Sequence, residues 1–104
     1  MKALENAERA ERVAAMEARL DRTAQLRAEL SRCLDELGAA RDEMSRLFQY
    51  YGSSDWFEDR ECPLPKDVKA GVLSEDLVYD EFTALRDACY RMLELSTDLL
   101  KNVL

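Results

Sequence analysis

Residues that interrupt helices are few in this sequence and are concentrated in one stretch. The 104 residues include only three glycines and two prolines, and Gly38 alone among these five lies outside the segment from Tyr50 to Asp80. Glycine and proline both destabilise a helix interior. Their distribution therefore predicts long helices on either side of a connector.

The sequence also lacks residues and motifs that are typical of enzymes. It contains no histidine, which is the commonest general base and metal ligand in proteins. It has no nucleophile elbow, no glycine loop for phosphate and no paired-cysteine motif. We therefore expect a non-enzymatic protein with no catalytic residues, no cofactor and no dedicated metal site.

The three cysteines are odd in number and widely spaced, which argues against a disulfide framework. The first residues are too charged for a signal peptide, and no apolar run is long enough to span a bilayer. These absences favour a cytoplasmic location and no insertion in a membrane.

Basic side chains are outnumbered, with 15 Lys and Arg against 22 Asp and Glu, for a net charge of -7. Residues 51–104 carry most of this excess, with 6 basic and 12 acidic side chains. Binding to duplex nucleic acid or to an anionic membrane requires a basic surface. We therefore expect neither nucleic acid nor membrane as a partner.

Two apolar seams with alternating steps of four and three residues run through the flanking segments. This spacing is typical of helices that pack as a coiled coil. The seams are Leu26, Leu30, Cys33, Leu37, Ala40, Met44, Leu47 and Tyr51, and then Val78, Phe82, Leu85, Cys89, Met92, Ser96, Leu99 and Val103. They have equal lengths. The sequence thus predicts an all-α protein whose helices, residues 3–51 and 74–104, form a long antiparallel hairpin within a single helical domain.

The connector, residues 52–73, contains the signals that end one helix and start the next. Gly52 can adopt the left-handed conformation that terminates a helix. Either Ser53 or Ser54 can cap a short helix near residues 54–61, and Ser74 can cap the final helix.

The connector also carries a resemblance to a known family. The stretches YYGSSDWFED and LPKDVKAGVLSEDLVYD, followed by RMLEL, resemble the small bacterial proteins grouped as domain of unknown function 4298. Members of that family usually have a few more residues before the segment that corresponds to Leu64-Pro65, so the loop is shortened here to Arg60-Glu61-Cys62-Pro63. The resemblance implies the helical layout and brings no known activity.

Five of the eight aromatic residues cluster around the connector, and the interpretation we favour is an apolar plug that closes one end of the hairpin. The favoured function is a helical protein-interaction module, an adaptor or a regulator. The alternative is a protein that binds a ligand or a divalent metal in the connector between Trp56 and Asp76. The candidate connector surface consists of Trp56, Glu58, Asp59, Lys66, Asp67 and Asp76.

Self-association is the remaining expectation. A two-helix hairpin has a single contact seam and buries little surface. Apolar residues outside that seam require a second partner, and we expect a homodimer with four helices, although another protein is the competing possibility. The candidate residues are Val13, Met16, Leu20, Leu93, Leu100 and Leu104.

Overall fold

The computed structural model describes residues 1–104 and consists of helices and connecting segments. In chain order these are α1 (Lys2–Ala39), α2 (Arg41–Tyr50), α3 (Ser54–Glu61), a 3₁₀ turn (Gly71–Leu73) and α4 (Glu75–Asn102). Helix accounts for 84% of the residues, and there is no strand. The predicted all-α class, with one short α-helix in the connector, is confirmed.

The first long helix is interrupted once, at Ala40. The sequence predicts one helix over residues 3–51, whereas α1 ends at Ala39 and α2 begins at Arg41. Ala40 has φ -89° and ψ 1°, and its N–H donates to the Glu36 carbonyl oxygen at 3.0 Å. Gly38 is the weakest helix former in this stretch, which accounts for a break at this place.

The residues group into two compact units, Met1–Arg41 and Asp42–Leu104, whose boundary lies beside this break. The first unit contains α1, which stays helical through Thr23, a polar residue between the apolar positions Leu20 and Leu26. The Thr23 hydroxyl donates to the Arg19 carbonyl oxygen at 2.8 Å, so the helix satisfies this polar side chain itself. The expectation of a single domain stays a prediction.

In the second unit, Gly52 ends α2 and lets the chain turn into α3. Its φ of 77° lies in the left-handed region, where glycine alone has no steric penalty. The Ser53 N–H then donates to the Tyr50 carbonyl oxygen at 2.9 Å. The Ser53 hydroxyl accepts from the Trp56 N–H at 3.2 Å, which identifies Ser53 rather than Ser54 as the cap of α3.

Ser74 starts α4 as its sequence context predicts. Its hydroxyl accepts from the Asp76 N–H at 3.3 Å. Glu75 and Asp76 place negative charge in the first turn, where the helix dipole favours it. The helix then continues without a break to Asn102.

Helices α2 and α4 contact each other in antiparallel order. The rings of Phe48 and Phe82 meet edge to face with centroids 5.2 Å apart. Just beyond the end of α2, the Tyr51 hydroxyl donates to the Glu75 carbonyl oxygen at 2.9 Å. Phe48 precedes Tyr51 in the chain, whereas its partner Phe82 follows Glu75. This reversed order of contacts is what an antiparallel hairpin requires.

Only two side chains of the whole chain are buried, Trp56 with 3% of its surface exposed and Val78 with 5%. Most residues of the two predicted seams are exposed, and the half-buried ones are Leu37, Ala40, Met44, Tyr51 and Leu85. The large exposed seam residues are Leu26, Leu30, Leu47, Phe82, Met92, Leu99 and Val103. None of the helices has the combination of length and apolar content that crossing a membrane requires.

Two glycine substitutions test this backbone description, because no heavy atom lies within 4 Å of a Cβ added at either position. Replacing Gly52 with Ala forces a side chain into the left-handed region and should lower the free energy of unfolding by about 1–2 kcal/mol. The matched change Gly38→Ala, inside α1, should raise it by about 0.5–1 kcal/mol. Urea denaturation followed by circular dichroism measures both, and effects of the same sign would contradict the description.

Candidate functional site

The connector core is built around the side chain of Trp56. Its indole Nε1–H donates to the Val72 carbonyl oxygen at 3.0 Å. The rings of Tyr51 and Phe57 contact the indole edge to face, with centroid distances of 5.0 and 4.9 Å. An indole N–H that is buried without an acceptor costs about 1–3 kcal/mol, so the bond to Val72 is what permits this burial.

Arg60 covers one side of this core and connects α3 to the start of α4. Its guanidinium carbon lies 4.5 Å from the centroid of the Trp56 ring, within the range of a cation–π contact. The Arg60 Nη1 also lies 3.2 Å from the Glu75 Oε1. Since the Glu75 carbonyl oxygen accepts from Tyr51, a single residue at the start of α4 contacts both α3 and the end of α2.

A second polar contact joins α2 to α3 through Tyr50 and Asp59. The Tyr50 hydroxyl donates to the Asp59 Oδ2 at 2.6 Å. The pKa of Tyr50 is raised to about 12. The largest cause is this hydrogen bond to a carboxylate, and desolvation and the charges on Asp59 and Asp55 contribute less.

Two open clefts lie next to these contacts. The first, of about 270 Å³, adjoins the Tyr50–Asp59 hydrogen bond, and the other residues that line it are Leu64, Val68, Lys69, Ala70, Val72 and Leu73. The second, of about 260 Å³, lies between α2 and α4 and is lined by the four aromatic residues Phe48, Tyr51, Tyr79 and Phe82. Both could receive a small apolar group, and only the first has charged side chains in its lining.

The structure divides the predicted connector surface. Trp56 lies in the core and not on the surface, and the rings of Tyr51 and Phe57 contact its indole. The other five candidates, Glu58, Asp59, Lys66, Asp67 and Asp76, are all exposed. No three Asp, Glu or Cys side chains form a group that could hold a metal ion. The metal-binding alternative therefore stays a prediction, and the structure brings together no set of side chains as metal ligands.

All six residues that the sequence suggests for self-association are exposed: Val13, Met16, Leu20, Leu93, Leu100 and Leu104. Sequence reasoning missed Arg60 and the Val72 carbonyl as parts of the connector core. Arg60 follows Trp56 by four residues, a spacing that brings two side chains together on a helix. No sequence signal identifies which carbonyl accepts from the indole.

The shortened segment before Leu64 ends α3 and leads into extended chain. The Cys62 N–H donates to the Glu58 carbonyl oxygen at 3.2 Å and closes the last turn of the helix. Cys62 itself is extended, with φ -92° and ψ 139°, as the proline that follows it requires. Its thiol is exposed and unpaired, like those of the other two cysteines.

The Tyr50–Asp59 hydrogen bond gives a pH-dependent prediction. Because the pKa of Tyr50 is raised from 10.0 to about 12, the bond stabilises the folded protein below pH 10 and its contribution is lost as the pH rises towards 12. An NMR titration that follows the Cζ resonance of Tyr50, assigned with Tyr50→Phe, should give a midpoint near 12. Asp59→Asn, which removes the charge, should lower this midpoint. A midpoint near 10 in the unmodified protein would contradict the geometry.

The comparisons with known proteins add no activity. No curated protein and no solved structure matches the chain. One family model, described as a domain of unknown function (DUF4298), matches residues 13–101. The match covers the connector, α2, all but the last residue of α4 and most of α1. The chain therefore belongs to the DUF4298 family.

Proposed function

We propose that this protein is a non-enzymatic helical interaction module, an adaptor or a regulator, which binds protein partners through the exposed apolar faces of α1 and α4. The observation that carries the proposal is the exposure of large apolar side chains at helical spacing on both helices. On α1 the exposed set includes Leu26, Leu30 and Leu34, and on the second half of α4 it includes Met92, Leu93, Leu95, Leu99 and Leu100.

Exposed apolar surface of this kind supports a binding role, because extensive apolar patches on a protein surface mark sites of interaction. An amphipathic helix supplies such a patch by presenting residues three and four positions apart to a groove or to another helix. Leu26, Leu30 and Leu34 follow this spacing within two turns of α1.

Charge supports a division of roles between the two units. Residues 1–41 carry 8 basic and 8 acidic side chains, whereas residues 42–104 carry 7 and 14, so the net charge of -7 belongs entirely to the second unit. The acidic connector, with Glu58, Asp59 and Asp67 exposed, suits a basic protein surface and repels nucleic acid.

The absence of enzymatic activity is part of the proposal and rests on side-chain chemistry. The chain has no histidine, and neither cleft is lined by a serine, threonine or cysteine that could act as a nucleophile. We also propose a cytoplasmic location, since three unpaired cysteines suit a reducing compartment.

A ligand-binding role is the second candidate, and the cleft beside Tyr50 and Asp59 is the observation that favours it. Leu64 and Val68 give this cleft an apolar surface, while Asp59 and Lys69 supply charges of opposite sign. Thermal stabilisation by a metabolite or a divalent cation, removed by Asp59→Asn, would favour this role.

Site-specific photo-crosslinking in cells that naturally express the protein tests the interaction role. A benzoylphenylalanine at Leu30, on the apolar face of α1, should give discrete adducts that mass spectrometry identifies. The matched control is Ala28, which is also exposed and lies about 160° away around the helix. Adducts should be absent or several-fold weaker there. The proposal is wrong if Leu30 gives no adduct, or gives the same products in the same amounts as Ala28.

A further inference from the structure

Helix α4 presents a second line of apolar side chains beside its seam, and we call this line the outer stripe. It consists of Tyr90, Leu93, Thr97 and Leu100 in the helix and Leu104 just beyond its end at Asn102, and these residues follow one another in steps of three and four. All five are exposed, Leu93 at 65% and Leu100 at 71%. The outer stripe contains none of the seam residues, such as Met92, Leu99 and Val103, so one partner helix packed on the seam would leave it uncovered.

Thr97, the polar member of the outer stripe, is compatible with burial in an interface. Its hydroxyl donates to the Leu93 carbonyl oxygen at 2.9 Å within α4. A hydroxyl that already has a hydrogen-bond partner adds little to the cost of removing the surface from water. The Thr97 methyl group can then pack against apolar atoms of a partner.

Two opposite charges flank the outer stripe on the same side. Glu94 follows Leu93 and Lys101 follows Leu100, so the two charged residues are seven positions, or about two turns, apart along one edge. Both are exposed, and the two ion pairs of the structure, Arg32–Glu36 and Arg60–Glu75, involve neither of them. The other edge of the stripe carries the uncharged residues Cys89, Ser96 and Val103.

The outer stripe and the two charged residues beside it form a surface that is self-complementary under a two-fold rotation. If a second α4 lies antiparallel on the outer stripe, with the axis near Asp98, Glu94 of each copy faces Lys101 of the other. In the same register Leu100 of each copy faces Thr97 of the other. A two-fold interface requires such a surface, in which one patch contacts its own copy reciprocally.

We infer that the protein forms a homodimer through antiparallel pairing of the outer stripes of two α4 helices, with reciprocal ion pairs between Glu94 and Lys101. The inference rests on the proposed interaction role and names a second copy of this chain as the partner of α4. In a dimer of two identical chains Glu94 and Lys101 face each other, so they have to be opposite in charge. A partner of different sequence would not require their charges to be opposite. Apolar contact supplies the affinity, and the ion pairs set the register.

Charge exchange tests the pairing directly. Light scattering at micromolar concentration should give twice the chain mass of 12.0 kDa for the unmodified protein. Glu94→Lys and Lys101→Glu each replace two attractions by two repulsions and should raise the dimer dissociation constant at least about tenfold. The double variant should restore dimerisation. An equimolar mixture of the two single variants should form the mixed dimer in preference to either homodimer.

Two further variants keep the test decisive. Glu81→Lys makes the same change in charge on an exposed α4 residue away from the outer stripe, and it should leave the dissociation constant unchanged. Leu93→Glu should give a monomer that circular dichroism shows to be helical. A monomer mass for the unmodified protein would overturn the inference, and so would a double variant as weak as the single ones. Photo-crosslinks from Leu30 to another protein, together with a monomer mass, would leave the interaction role standing without the homodimer.

Discussion

The hydrogen bond from the Trp56 indole to the Val72 carbonyl is the contact on which the organised part of this protein depends. It joins α3 to the 3₁₀ turn, two segments separated by nine residues of chain without regular structure, and its donor belongs to the most buried side chain of the molecule. A buried indole without an acceptor would be destabilising by itself. The course of the connector is therefore constrained by the need to bring one particular carbonyl to this ring.

The remaining contacts of the connector follow from that placement. Once Trp56 is enclosed, Arg60 lies over its ring and reaches Glu75, and Tyr51 reaches the carbonyl of the same residue. These contacts fix the first turn of α4 against the end of α2, which places Phe48 against Phe82. The core is small, and the apolar faces beyond it are exposed. A protein built in this way has an ordered turn and leaves much of its helical surface available for partners, which is the physical basis of the interaction role that we propose.

The parts of the fold that the sequence predicts are those with a local cause. Gly52 ends a helix because it alone tolerates the left-handed conformation, and Ser53 and Ser74 start helices because their hydroxyls accept from backbone N–H groups nearby. The break at Ala40 was not predicted, because Gly38 lies in a pattern that otherwise favours a continuous helix. The sequence also could not show how much of each seam is buried within a single chain. A spacing of four and three residues identifies the apolar face of a helix, but it does not identify what packs against that face. The candidate site shows the same limit. The sequence predicts a cluster of aromatic residues at the connector, but Trp56 was also assigned to the surface. The atom that accepts the indole hydrogen bond belongs to the backbone, so no residue type could identify it.

The exchange rate of the Trp56 indole N–H tests the central place of this contact most directly. Trp56 is the only tryptophan, so its indole resonance in a nitrogen–proton correlation spectrum is unambiguous. If the hydrogen bond to Val72 holds the connector, exchange with deuterium should be at least about 100-fold slower than in free indole, and the spectrum should show one sharp signal. Exchange at the rate of free indole would mean that the connector opens freely, and it would contradict the account of how this protein is held together.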